Sequence, residues 1–345
     1  MRRRGFSLIE VAVASAMASV IAIAAIGAFA NLNRQLVSVQ RESTASDNAK
    51  SLIDLLVTQM QAIGGGPIRP WMALWVENGT TARHPTSGAR DALFKRPAVS
   101  GSDRVTLGTF IEAAPTCRVA GMTNGTLTVA KVGGLCCFES GKNLFSLGGV
   151  DGPASEAATV FVINNTHHMQ IVLTKPPVGC TATWSPGPLA PVDNAPPSLA
   201  SFAGATVAAA DVRTLYINDL NELREFKQRS QFTSTPTLDA TTTSLVSSDV
   251  FDLQVQLGYD TQPDGRIADT NSSTDEWLFN DDGDTPVFSS SSLRMVGVGA
   301  IVGVRQAEPK ASAATVVGGQ QLVSSSAFLR GAMGRASLRN LFIFN

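Results

Sequence analysis

Arg2-Arg3-Arg4-Gly5-Phe6-Ser7-Leu8-Ile9-Glu10-Val11 opens the stretch whose reading decides the fold, and residues 11–33 that follow carry no charge. Those 23 positions would make a helix of about 34 Å, long enough to cross a bilayer. Arginines ahead of an apolar segment hold the leader on the cytoplasmic side of a membrane. A secretory signal has a shorter apolar core with a small-residue cleavage site after it. Here the cut site lies before the core, so the apolar helix stays in the mature chain. Glu10 is the unusual residue, because an unpaired carboxylate at the edge of hydrocarbon is expensive to keep. Small residues dominate the segment and let helix backbones approach closely. Gly27 is a soft point, costing about 1 kcal/mol relative to alanine.

Downstream, the pattern turns amphipathic. Leu32, Leu36, Val39, then Leu52, Leu56, Met60 and Ile63 recur at three- and four-residue steps, with Gln35, Arg41, Asp47, Lys50 and Asp54 on the other faces. Gly64-Gly65-Gly66-Pro67 stops the helix. A helix of nearly 60 residues is far longer than globular domains use. It predicts a spine whose first half is apolar all round and whose second half, through the Leu/Val face of residues 32–63, holds a head domain. The expected organisation is a leader at 1–5, a transmembrane half-helix at 6–33, a periplasmic half-helix at 34–63 and a β-rich head over 68–345.

After Pro70 the texture becomes short strands with turn punctuation. Strands are expected at Arg104–Leu107, Thr159–Ile163, Gln170–Leu173, Thr214–Ile217, Asp249–Tyr259, Leu293–Val304 and near Ala336–Leu338. Arg118–Ala120 and Thr126–Val129, flanking Asn124-Gly125, predict a hairpin with a type I′ turn. Residues 176–200 hold seven prolines and read as a surface excursion. The fold class is α+β: the helical spine packed on a meandering antiparallel sheet rather than βαβ units.

The 345 residues, 44% of them hydrophobic, exclude disorder over most of the chain. Net charge is −1; without the three leader arginines, 24 basic residues face 28 acidic ones. That balance lacks the basic footprint of a nucleic-acid binder. The four cysteines, Cys117, Cys136, Cys137 and Cys180, show no C-x-x-C spacing for zinc. Their even number on the translocated side predicts two disulfides in an oxidising periplasm. Cys136 and Cys137 alternate faces of a strand and so take different partners; one holds Cys117 and the other Cys180, in either order.

The N-terminal stretch resembles the signal of type IV prepilins and pseudopilins. Val250-Phe251-Asp252-Leu253-Gln254-Val255-Gln256-Leu257-Gly258-Tyr259-Asp260 with Asp264-Gly265, the run Leu293–Arg305, and Gly334-Arg335-Ala336-Ser337-Leu338-Arg339-Asn340 resemble stretches of PilW-type minor pilins. J-type pseudopilins of type II secretion share the plan. The resemblance implies cleavage between Gly5 and Phe6 by a prepilin peptidase and N-methylation of Phe6. It implies a start in the inner membrane with a periplasmic head, then a place at the pilus tip on the cell surface. Implied partners are other minor pilins, the major pilin, a PilY-type tip adhesin and the inner-membrane assembly platform. Glu10 would meet a neighbouring subunit's free α-amino group, an attraction strong in low dielectric; the plainer reading, a carboxylate snorkelling from an ordinary signal anchor, leaves the surrounding motif unexplained. From another class, a membrane-anchored periplasmic adhesin or enzyme would retain its leader.

Other motifs carry less. Asp260, Asp264 and Asp269 begin an acidic, glycine-containing region that also holds Asp275, Asp281, Asp282 and Asp284. Calcium takes six to eight oxygens from such loops, yet the EF-hand spacing is absent and solvated turns have the same composition. No cofactor is expected, calcium being the one secondary reading. Gly297-Val298-Gly299 with Gly303 lacks the helix a dinucleotide loop requires, and glycines on a strand lying under the spine explain it better. His84, His167 and His168 have no carboxylate or cysteine at useful spacing, and no G-x-S-x-G turn exists. An enzyme is not expected.

Overall fold

In the computed structural model of the chain, the described residues are 7–77, 102–112, 116–137, 158–164, 168–173, 178–186, 198–218, 220–227, 243–260, 267, 276–278, 293–305, 315–317, 320–322 and 327–338. The apolar and amphipathic stretches form a single helix, α1 (Leu8–Gln61). It stops two residues short of the expected Ile63. The backbone N–H of Ala62 already turns back to the Gln59 carbonyl, and that of Ile63 to the Met60 carbonyl. Gly64, Gly65 and Gly66 then take φ of +77°, +106° and +52°, conformations that glycine adopts without strain. A Cβ on Gly64 would lie 2.7 Å from the Ile68 carbonyl oxygen. The turn pins the end of the spine to the head: Gly64 donates to the Gly108 carbonyl at 2.8 Å and accepts from the Phe110 N–H at 2.9 Å.

Only the last third of α1 is covered. Ala45, Ala49, Leu52, Ile53, Leu56 and Met60 form one buried face, at the three- and four-residue steps of a helical stripe. Leu32, Leu36 and Val39, expected to hold the head, are exposed. Small side chains begin the contact, Ala45 and Ala49 letting a sheet approach the helix axis.

The strands of the head begin with β1 (Leu74–Glu77), β2 (Arg104–Phe110), β3 (Cys117–Thr123), β4 (Thr126–Val129), β5 (Lys131–Val132) and β6 (Leu135–Cys136). There follow β7 (Ala158–Ile163), β8 (His168–Leu173), β9 (Thr181–Pro186), β10 (Thr206–Ile217), β11 (Leu223–Lys227) and β12 (Thr243–Ser247). Last come β13 (Val250–Tyr259), β14 (Trp277–Leu278), β15 (Leu293–Arg305), β16 (Thr315–Val317), β17 (Gln320–Leu322) and β18 (Ala327–Ser337). Two of these correct the sequence reading. β9 lies inside the proline-rich segment, with Ala182 and Trp184 buried. The β3–β4 hairpin has Gly125 at φ +80° while Asn124 keeps a negative φ, so its turn is not type I′, which needs positive φ at both positions.

β10 organises the larger sheet. Thr206–Ala210 pair with β7, and Thr206 and Val207 also reach β3. The later residues pair with β2 on one side and β11 on the other. Because β3, β4, β9, β8 and β7 are joined in turn, the first half of β10 closes them into a six-stranded barrel. Strand alternation then separates two cores. Val160, Val162, Val207 and Ala209 point into the barrel, whereas Phe161, Ala208 and Ala210 join the core beneath the spine. The barrel attaches where α1 ends, since Ile111 donates to the Ala209 carbonyl one residue after Phe110.

A second sheet, ordered β14-β13-β15-β18, lies under α1. Val296, Val298, Ala300 and Val302 share a core with Leu52, Ile53 and Leu56. The strand of Gly297, Gly299 and Gly303 thus lies under the spine as expected from the sequence, and by alternation these glycines are on its opposite face. There the indole of Trp277 covers Gly297, with Cζ3 3.3 Å from the position of an added Cβ, and the Arg335 guanidinium sits 4.7 Å from the Trp277 ring centroid. The glycine that does lie beneath the helix is Gly334 of β18, where a Cβ would fall 2.6 Å from Cγ2 of both Ile53 and Val57. Arg330, four residues earlier on the same strand, pairs with Glu42 of the spine. Ser102 and Asp103 lace this sheet to the larger one, through Leu253 N–H to Ser102 Oγ at 3.1 Å and Val255 N–H to Asp103 Oδ2 at 2.6 Å.

Candidate functional site

The first turn of α1 is built by its own side chains. Ser7 is the N-cap in an extended conformation, φ −74° and ψ 149°. Its hydroxyl accepts the Glu10 N–H at 3.2 Å, and its own N–H donates to Glu10 Oε2 at 2.9 Å. This reciprocal capping box satisfies two of the donors a helix start leaves open. It also sets a carboxylate against the positive end of the helix dipole. Glu10 is thereby aimed by the backbone, and it is exposed together with Leu8, Ile9 and Val11. Oε1 has no hydrogen bond among the described residues. Gly5 and Phe6 lie outside the described residues.

From Val11 to Asn33 the helix is exposed, uncharged and largely apolar. The Ser15 and Ser19 hydroxyls donate to the carbonyls of Val11 and Ser15, at 2.6 and 2.8 Å. Returned to the backbone in this way, they cost little in an apolar medium. An 18-residue window of α1 reaches a mean hydropathy of 2.2 with none of it buried. Residues 8–40 are exposed along their whole length and extend clear of the head for about 50 Å at 1.5 Å per residue. The arrangement can insert in lipid or bundle with other apolar helices, and Glu10 is then the charged group at its far end.

The remaining predicted residues lie away from this turn. Cys117 bonds to Cys137 and Cys136 to Cys180, with Cα separations of 5.7 and 5.0 Å. Both bridges staple the barrel. Asp260 is buried, its Oδ2 3.7 Å from Nε of Arg294, an orientation toward a cation of the protein itself. Asp264 and Asp269 lie outside the described residues. Among the described residues no group of three or more His, Cys, Asp or Glu side chains is placed to hold a metal. His168 stacks edge-on against Trp71, centroids 5.0 Å apart; His84 and His167 lie outside the described residues.

Asp252, on the face of β13 away from the spine, was not singled out in the sequence. Burial pushes its carboxyl up to about 6, against the lowering effect of hydrogen bonds from Gln254, the Leu253 backbone and Ser102. Among the described residues its Oδ2 has no hydrogen-bond partner. Ser7 was also overlooked, although its signal was present: serine followed three residues later by glutamate, ahead of an apolar run, is a capping box in sequence.

Residues 1–26 match the family described as the prokaryotic N-terminal methylation motif. This match supports a type IV pilin-like or pseudopilin protein, a structural rather than an enzymatic class, and implies processing by a prepilin peptidase and assembly with other pilins. No curated protein and no solved structure matches the chain at a significant level.

Proposed function

We propose that the chain is a PilW-type minor pilin, which joins other minor pilins in a complex that primes pilus growth and stays at the fibre tip beneath a PilY-type adhesin. The observation that carries this reading is the uncovered spine: a helix that stands clear of the head for about 50 Å, without charge over residues 11–33, with one carboxylate in its first turn and a head fastened only to its other end. Its exposed apolar half needs lipid or other helices around it, and a fibre of bundled spines supplies them after extraction from the inner membrane. Cleavage after Gly5 creates a free amine on Phe6, which becomes N-methylated. Glu10, held at the dipole's positive end by Ser7, meets that amine on the next subunit. In low dielectric such a pair is strongly attractive, and it selects one axial register among the many that apolar packing alone permits.

The test is Glu10→Ala in the native host. The variant is expected to insert and to lose its leader normally, yet to enter sheared fibres at less than a tenth of the usual level. Incorporation equal to the parent would refute register selection by charge. Gly5→Leu should leave the leader attached, seen as an unchanged N-terminal mass.

A further inference from the structure

Strand β18 bounds one side of the sheet beneath the spine, and its outer edge is open. The Leu338 N–H donates to the Arg294 carbonyl at 3.1 Å, continuing the register that pairs Ser337 with Met295. Antiparallel ladders alternate, so Ala336, Gly334 and Ala332 bond inward to β15. Gly331, Met333, Arg335 and Ser337 therefore aim their N–H and C=O groups away from it. Gly303 of β15 has the matching parity, its N–H donating to the Asp249 carbonyl on the β13 side. All four outward residues are exposed, Met333 to 52%. Among the described residues, Gly331, Met333 and Ser337 make no hydrogen bond on that side. The result is about 23 Å of ladder without the devices that usually protect an edge. Residues 327–337 contain no proline or lysine, and the strand of 11 residues keeps one register throughout. Its two arginines are turned elsewhere, Arg330 to Glu42 of the spine and Arg335 to the Trp277 ring. Gly331, Ala332 and Gly334 add no bulk that would fend off a neighbour.

We infer that this edge receives an extended segment of a second, different protein as a further strand of the sheet. A row of backbone donors and acceptors at strand spacing recognises another extended backbone. A lipid tail has no such groups, and a helix has spent its own internally. Alternation sets the side-chain chemistry. The segment turns an apolar residue toward Met333 on one face, and a small or apolar residue toward half-buried Val57, beside Gly334, on the other. A second copy does not fit. Arg330 meets Glu42 while Gly334 lies under Ile53 and Val57, so β18 runs in the same direction as α1. Two β18 edges joined antiparallel would point their spines in opposite directions. Joined parallel, they would put the spines on opposite faces of one sheet. Neither brings two spines side by side and pointing the same way, as one fibre requires. The inference rests on the minor-pilin reading only for that last step.

The experiment uses the full chain in its native host, with the photoreactive residue p-benzoylphenylalanine in place of Met333. The control places it at Leu220, 62% exposed in the turn between β10 and β11. Ultraviolet light is expected to join position 333 to one other protein, at least tenfold above position 220, through a peptide free of proline. Ser337→Pro removes only an outward N–H and sets its ring on the outer edge, where proline is tolerated. It should lower the yield at least fivefold, whereas Ser337→Ala, which keeps the N–H, should retain at least half of it. A product that is a lipid or the chain itself, equal yields at both positions, indifference to Ser337→Pro, or an equal loss with Ser337→Ala would overturn the proposal. N-terminal mass and fibre content are read from the same cells. A retained leader refutes the pilin reading, while the product at position 333 still decides the edge. A mature chain present in fibres that forms no product from position 333 refutes the edge alone.

Discussion

Gly334→Ala tests how the head is fastened to the spine. The added Cβ would fall 2.6 Å from Cγ2 of Ile53 and of Val57, roughly an ångström inside ordinary carbon contact. Both neighbours are β-branched and held to one strongly preferred helical rotamer, so neither turns away cheaply. β18 is equally fixed, paired with β15 along its whole length. The strain has to lift α1 from the sheet, in a core where Leu56 and Val298 are fully buried. Overpacking of this kind costs about 1–3 kcal/mol, a large part of the stability of a typical domain. Urea unfolding of the detergent-solubilised protein, followed by tryptophan fluorescence, should show a lower midpoint with an unchanged slope. Val57→Ala removes one of the opposing methyls, and its combination with Gly334→Ala should recover at least about 1 kcal/mol of the loss by double-mutant cycle. A Gly334→Ala protein within about 0.5 kcal/mol of the parent, or strict additivity with Val57→Ala, would refute this packing.

Three further outcomes follow from named groups. Asp252, with its carboxyl raised to about 6 by burial, favours the folded state most fully below the unfolded value near 4 and loses that contribution as pH rises through about 6. Asp252→Asn should therefore add about 2–3 kcal/mol to stability at pH 8 and little at pH 4; equal effects at both pH values would contradict the burial argument. Cys136→Ser with Cys180→Ser should loosen the hairpin tip, seen as rapid proteolysis near Gly133-Gly134, with a cost of about 2–4 kcal/mol; an unchanged cleavage pattern would mean the strands alone hold it. Arg330→Ala should let α1 swing at Glu42, raising hydrogen exchange between residues 41 and 49 several-fold while leaving residues 52–60 protected. Uniform protection would show that the pair contributes nothing.

The spine was legible because one signal, uninterrupted apolar character passing into a three-to-four repeat, extends over more than fifty residues. Its coverage was not: Leu32, Leu36 and Val39 recur at helical three- and four-residue steps just as Leu52, Leu56 and Met60 do, and periodicity does not say where a head stops. Strands rich in Val, Ile and Leu, such as β7, β13 and β15, read directly from sequence. The first half of β10 and most of β18 did not, since Ala208-Ala209-Ala210 and Gly331-Ala332-Met333-Gly334 lack β-forming side chains; tertiary packing demands small residues there. Prolines around Thr181–Pro186 hid β9. The pairing of four cysteines depended on which strands adjoin, a long-range fact. At the candidate assembly site, Glu10 was conspicuous as the one charge in an apolar stretch, whereas the part played by Ser7 lay in an easily overlooked spacing.

The central claim is a spine trimmed before its apolar part and carried intact into a fibre. Mass spectrometry of the N-terminal peptide from sheared, purified fibres tests it most directly. The account predicts a chain that starts at Phe6 with one methyl group on its amine and retains Ser7 through Val11. A fibre-borne peptide still carrying Arg2-Arg3-Arg4, or a mature chain found only in the membrane fraction, would contradict it.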